Sequence, residues 1–177
     1  GSKSIRPFFS RRIGLATPVI GGARLSGKLG PNYRLGIMSI QTDANEGTPT
    51  SNFTVATLQR KILTRSSLSI FIVNKESELQ DNANGSENSY NRVGGIDFNL
   101  ASADNLWTGK TFFHQAIYKN AGANAFAAAT SIKYNNGTVS GQMGYSMVGV
   151  DFKADVGFVK RTGFHRFGPH LEYKFYP

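Results

Sequence analysis

Val139-Ser140-Gly141-Gln142-Met143-Gly144-Tyr145-Ser146-Met147-Val148 is the stretch whose reading decides the fold. Val139, Met143, Tyr145 and Met147 fall on one side of an extended chain. Ser140, Gln142, Gly144 and Ser146 fall on the other. That period of two belongs to a β-strand with one apolar and one wet face. The same alternation runs through Phe152, Ala154, Val156 and Phe158 against Lys153, Asp155 and Gly157. It returns in Leu171, Tyr173 and Phe175 against His170, Glu172 and Lys174.

Working outward, strand-like segments span Val19 to Lys28, Tyr33 to Gln41, Phe53 to Leu63, Leu68 to Asn74, Arg92 to Leu100, Leu106 to Tyr118 and Ala123 to Lys133. With the three above, about ten strands are expected. Gly30-Pro31-Asn32, Asn120-Ala121-Gly122 and Asn135-Asn136-Gly137 mark turns, and Asn136-Gly137 is the strongest hairpin signal because both residues tolerate the positive φ of a type I′ turn. Two longer polar connections cover 43–51 and 75–89, and the second is expected to be a mobile loop. Short turns alternating with long polar loops fit a transmembrane barrel, though a soluble sandwich shares the pattern.

The totals agree with an all-β chain. The 177 residues include 20 Gly, 13 Phe, 7 Tyr and one Trp, and no domain boundary or repeat interrupts them, so 1–177 reads as one unit. Twenty Lys and Arg against 11 Asp and Glu give a formal charge of +9. The absence of cysteine excludes disulfides, thiolate metal sites and a Cys nucleophile. No apolar run reaches the ~18 residues of a membrane helix, which says nothing of a barrel, whose strands alternate. No signal peptide stands at the start; Gly1-Ser2 reads as a cloning scar and the chain as cut from something longer.

Motifs for chemistry are sparse. His165 and His170 are five apart and lie on opposite faces of a continuous strand, so no metal site is expected, and His114 reads as a partly exposed strand residue. Trp107-Thr108-Gly109-Lys110-Thr111 ends like a phosphate-binding loop, but Asp104 stands where that motif needs glycine and a strand follows. Asp97, Asp104, Asp151 and Asp155 are the acids able to point inward; solvated or Lys- and Arg-paired charges outweigh a glycosidase pair. Basic residues gather at Arg11 and Arg12, at Arg60 and Lys61 with Arg65, and at Lys160 and Arg161 with His165 and Arg166. Their place at strand ends suits a barrel rim or a cationic lumen better than a nucleic-acid surface. Asn52-Phe53-Thr54 and Asn136-Gly137-Thr138 match glycosylation acceptors by chance. No cofactor is expected.

Several strings together carry a resemblance. They are Phe8-Phe9-Ser10-Arg11-Arg12-Ile13-Gly14, Pro18-Val19-Ile20-Gly21-Gly22-Ala23-Arg24-Leu25-Ser26-Gly27-Lys28, Asn91-Arg92-Val93-Gly94-Gly95-Ile96-Asp97-Phe98, Asn105-Leu106-Trp107-Thr108-Gly109-Lys110 and Gly157-Phe158-Val159-Lys160-Arg161-Thr162-Gly163 running on to Pro169. In order and spacing the chain resembles a Bacteroidota outer-membrane family of unknown function. Members of that family carry an N-terminal family-nine carbohydrate-binding-like domain, which is absent here. The resemblance covers Phe8 to Pro177. It implies a secreted precursor and a C-terminal β-barrel of which this chain is the first part. It carries over no catalytic residue. A part-barrel leaves two open edges, so closure on itself, oligomerisation and a sandwich stay open.

The leading expectation is therefore an antiparallel up-and-down meander in the bacterial outer membrane. Its role would be in transport or surface assembly linked to glycan uptake, with outer-membrane lipid, glycans or other outer-membrane proteins as partners. The alternative is a soluble β-sandwich or barrel binding a glycan through Trp107, Tyr118 and Tyr134. A glycan hydrolase is the third reading.

Overall fold

A computed structural model describes residues 5–15, 17–45, 47–78 and 89–175. Among the described residues eleven strands follow one another: β1 (Ile5–Arg6), β2 (Val19–Leu29), β3 (Tyr33–Thr42), β4 (Ser51–Ile62), β5 (Ser66–Ser77), β6 (Ser89–Ala101), β7 (Trp107–Tyr118), β8 (Phe126–Asn135), β9 (Val139–Val148), β10 (Phe158–Val159) and β11 (Phe164–Tyr173). Nine of them form one antiparallel sheet in the order β11-β9-β8-β7-β6-β5-β4-β3-β2. Within this sheet every strand pairs with its neighbour in sequence, apart from the step from β9 to β11 over β10, and β1 pairs with β10. This is the all-β up-and-down meander expected from the alternation. The sheet is open: β2 and β11 each have one paired side among the described residues.

The turns sort into two ends. Residues 30–32, 63–65, 102–106 and 136–138 join strands at one end, here the turn end. At the other end, here the loop end, β3 meets β4, β5 meets β6, β7 meets β8 and β9 meets β11 across longer stretches of sequence. The connection expected over 75–89 is narrower than the sequence suggested. Lys75, Glu76 and Ser77 complete β5 and Ser89 opens β6, because each finds a ladder partner; residues 79–88 lie outside the described residues, as do Gly1 and Ser2.

Two expectations about local structure need correction. The segment 152–158 is not a sheet strand. Phe152, Ala154 and Val156 are buried and Lys153 is exposed, but the expected alternation stops there: Gly157 is buried and Phe158 is 38 % exposed. The segment lies on the sheet instead of in it, and only Phe158 and Val159 pair, with Arg6 and Ile5. The Asn136-Gly137 turn is not type I′ either, since only Gly137 takes a positive φ, +94°. Its backbone donors are met by side chains: Asn135 Oδ1 accepts from Gly137 N–H, and Asn136 Oδ1 accepts from Thr138 and Val139 N–H.

The register assigns every strand residue to one of two faces. One face is covered at the loop end. There Phe53, Val73, Val93, Ala116, Ala127 and Val148 pack with Ile5, Phe152, Ala154 and Val156 from outside the sheet. Hydrogen bonds pin this cap. Asn91 Nδ2 donates to the Lys153 carbonyl while its Oδ1 accepts from Asp155 N–H, and the Tyr118 hydroxyl donates to the Asp151 carbonyl. Lys75 and Lys153 both reach Asp155 at 3.5 Å. Phe9 N–H donates to the Val156 carbonyl, which holds the N-terminal segment against the same cap. The other face carries no covering element among the described residues.

Candidate functional site

The uncovered face is apolar. Leu25, Ile37, Ile70, Ile96, Phe113 and Met143 project from six strands of it, and all are exposed. Met143, Tyr145 and Met147 share this face as the alternation required, with Met143 53 % and Tyr145 41 % exposed. The charged strand residues on it are Arg60, Glu76 and Arg92, and all three sit near strand ends. Arg60 lies over the Tyr33 ring at 5.5 Å, and Arg92 pairs with Glu76 at 2.7 Å. The rows between them carry no charge. A soluble monomer seldom leaves so broad an apolar surface bare.

Aromatic rings rim this surface. Tyr33, Trp107, Tyr134 and Tyr173 all occupy its turn-end edge, because each begins or nearly ends a strand there. Trp107 and Tyr134 face each other across β7 and β8, their centroids 4.9 Å apart and tilted by 52°. Tyr118 is elsewhere, on the covered face at the loop end, with its hydroxyl spent on Asp151. So the three expected sugar-stacking aromatics do not converge: two form a tilted pair and the third belongs to the cap.

The covered face changes character from end to end. Apolar rows lie under the cap and charged rows lie toward the turn end. Asp97 stands at the boundary. It is opposite Phe112, which separates Lys110 from His114 on the neighbouring strand, so its two oxygens reach both. Lys110 Nζ is 2.7 Å from Oδ2 and His114 Nε2 is 2.7 Å from Oδ1. His114 stacks on Phe112 at 4.4 Å and meets the edge of Phe71 at 4.9 Å. Phe71 belongs to β5, two strands away, and the gap is bridged because Gly95 lies between them in the same row. A Cβ on Gly95 would sit 2.5 Å from His114 Cδ2 and 2.8 Å from the Phe113 carbonyl oxygen. The reading of His114 as partly exposed is thus corrected: it is 2 % exposed, and its Nδ1 has no partner.

The remaining acids do not converge with Asp97. Asp104 is in the 102–106 turn, where the Ser102 hydroxyl and Leu106 N–H donate to it. These bonds, the Ser102 one foremost, hold its carboxyl below the ordinary carboxylate range. Asp151 and Asp155 belong to the cap. His165 contacts the Tyr145 hydroxyl at 2.7 Å on the uncovered face, while His170 lies near Glu172 on the other. Among the described residues no group of three or more His, Cys, Asp or Glu gathers as metal ligands.

The basic residues divide among three places. Arg11 and Arg12 form a short 3-10 turn and Lys160 and Arg161 follow β10, all at the loop end. Arg60 is on the uncovered face. Lys61 and Arg166 are on the covered face. Lys61 also lines a cavity of about 380 Å³ at the turn end together with Lys28, Arg34 and Arg65. Sequence reading joined Lys61 to Arg65 but missed Lys28 and Arg34, which only the β2–β3 and β3–β4 registers bring there.

In comparison with known proteins, no family model, no curated protein and no solved structure matches the chain.

Proposed function

We propose that the chain is a segment of a β-barrel in the bacterial outer membrane, with its uncovered face toward lipid and its covered face toward the lumen. In this reading it serves transport or surface assembly, linked to glycan uptake. The observation that carries the reading is the uncharged apolar band, bordered by Arg60 at one end, by Glu76 and Arg92 at the other, and by four aromatics along the turn-end rim. Barrel strands in a membrane need that arrangement. Their backbone groups are satisfied by neighbouring strands, their outward side chains match hydrocarbon, and aromatic rings settle at the interface. The distribution of short turns and longer connections supports it, as does the resemblance to the Bacteroidota family. The polar rows of the covered face would then be wet and the cap would sit in the lumen.

Size-exclusion chromatography with and without detergent tests this. A monodisperse peak that requires detergent and keeps β-type circular dichroism supports the barrel. A monodisperse peak in plain buffer refutes it.

The Trp107–Tyr134 contact favours a second reading, glycan binding, because exposed ring faces can stack on sugars. Here Trp107→Ala would abolish binding on a glycan array. Binding that is absent from the start, or unchanged by the substitution, removes this reading. A hydrolase needs two facing carboxylates, and Asp97, Asp104, Asp151 and Asp155 do not supply them.

A further inference from the structure

We infer that the turn-end mouth of the covered face is a binding site for a small multivalent oxyanion, such as a diphosphate or a phosphorylated sugar. Lys28, Arg34, Lys61 and Arg65 line one cavity of about 380 Å³, and no acidic residue lines it. That volume suits a small ligand. Lys28 and Arg34 are direct cross-strand partners. Like charges placed so repel each other, and a bound anion relieves the repulsion.

Two acids stand toward this end and neither pairs with the cavity's cations: Asp104, beside Asn105 in the 102–106 turn, accepts from the Ser102 hydroxyl and Leu106 N–H, and Asp97 is held elsewhere. Asp97 lies across from Ser69, one strand beyond the cavity, and both its oxygens are held by Lys110 and His114. Among the described residues no carboxylate forms an ion pair with any of the four cations. Arg65 alone is tied down, its guanidinium donating to Asn105 Oδ1. Lys28, Arg34 and Lys61 keep their donors for a ligand. Neutral groups complete the wall: Gln59 Nε2 donates to Ser67 Oγ at 3.1 Å, which leaves the Ser67 hydroxyl proton to be donated.

The chemistry selects the ligand class. A guanidinium fork grips two phosphate oxygens at once, while ammonium groups act as point charges on the others. A monovalent anion satisfies one or two of these groups, and a diphosphate spans the set. The site does not rest on the membrane reading, since the four cations stand together whether the opposite face meets lipid or water.

The test is a titration of folded protein in zwitterionic detergent, at constant ionic strength, read by the thermal midpoint and by calorimetry. Pyrophosphate is added in one arm and an anionic phospholipid is doped into the micelle in the other. Saturable binding is expected, with a raised midpoint. Arg34→Gln and Lys61→Gln should each weaken it about tenfold, the loss of one charge-assisted contact. Lys133→Gln, on the same face but outside the cavity, should leave it unchanged. A response to pyrophosphate assigns a soluble ligand, and a response to the lipid alone assigns a headgroup phosphate. No saturable response in either arm overturns the site, as does equal weakening by Lys133→Gln, which would reduce the effect to net charge. Detergent dependence is read separately, so failure here leaves the barrel proposal standing.

Discussion

Gly95 and His114 show how one residue licenses another. The imidazole is buried against Phe71 and Phe112 because the strand between Phe71 and His114 carries no side chain at that row. Gly95→Ala forces a Cβ against a ring and a carbonyl, so it should lower stability by about 1–3 kcal/mol. His114→Ala leaves a cavity and removes one donor to Asp97, for about 2–4 kcal/mol. Urea unfolding followed by circular dichroism checks both, and wild-type midpoints would contradict the packing described. Asp104 gives a pH signature at the same scale. Its folded-state pKa is depressed, so its contribution to the 102–106 turn is present above the ordinary carboxylate value and lost as pH falls through the lowered one. An Asp104→Ala variant should therefore lose stability near neutrality and converge with wild type in strong acid. None of these partnerships was legible in the sequence. Period two places His114 on a face, but its neighbours Asp97, Gly95 and Phe71 come from other strands, and one chain read alone does not reveal register.

At the scale of elements, alternation located strands well and misjudged one. The stretch Val139–Val148 was bounded correctly because a clear turn precedes it and a clear alternation fills it. The segment 152–158 alternates just as cleanly in sequence yet caps the sheet; its burial alternates only as far as Val156, where the Gly157 N–H donates to the Ala154 carbonyl and turns the chain. Val156 is 1 % exposed within that cap. Val156→Asp places a carboxylate without a partner in the apolar cluster, so it should loosen the cap and expose 149–163 to protease, while Lys153→Ala should not. Equal cleavage of the two variants would contradict the cap. The 136–138 turn was found by its Asn-Gly pair but typed wrongly, because the Asn135 and Asn136 side chains supply acceptors that a type I′ turn does not need. Only Gly137 demands a left-handed backbone there, so Gly137→Ala should cost about 1–2 kcal/mol and Asn136→Gly much less, as thermal midpoints would show.

At the scale of the molecule, strand parity constrains assembly. An odd number of antiparallel strands leaves β2 and β11 running the same way, from loop end to turn end. Direct pairing of these two edges would be parallel. Closure through antiparallel pairs takes an odd number of further strands, or two copies joined edge to edge. The fold class was legible from period two, and so was the sidedness of Val139–Val148, whose Met143, Tyr145 and Met147 share the uncovered face. Whether that apolar side meets lipid or another apolar surface was not legible, because a core and a bilayer ask for the same residues.

Trp107 offers the most direct test, being the one tryptophan of the chain and standing on the aromatic rim of the uncovered face. Its fluorescence should be measured in vesicles whose phospholipids carry bromine at chosen depths along the acyl chain. Strong quenching by bromine near the headgroup, weaker quenching by deep bromine and little quenching by aqueous iodide are expected of an interfacial rim. Free quenching by iodide with no response to brominated lipid would place that rim in water and contradict the proposal that the uncovered face meets lipid.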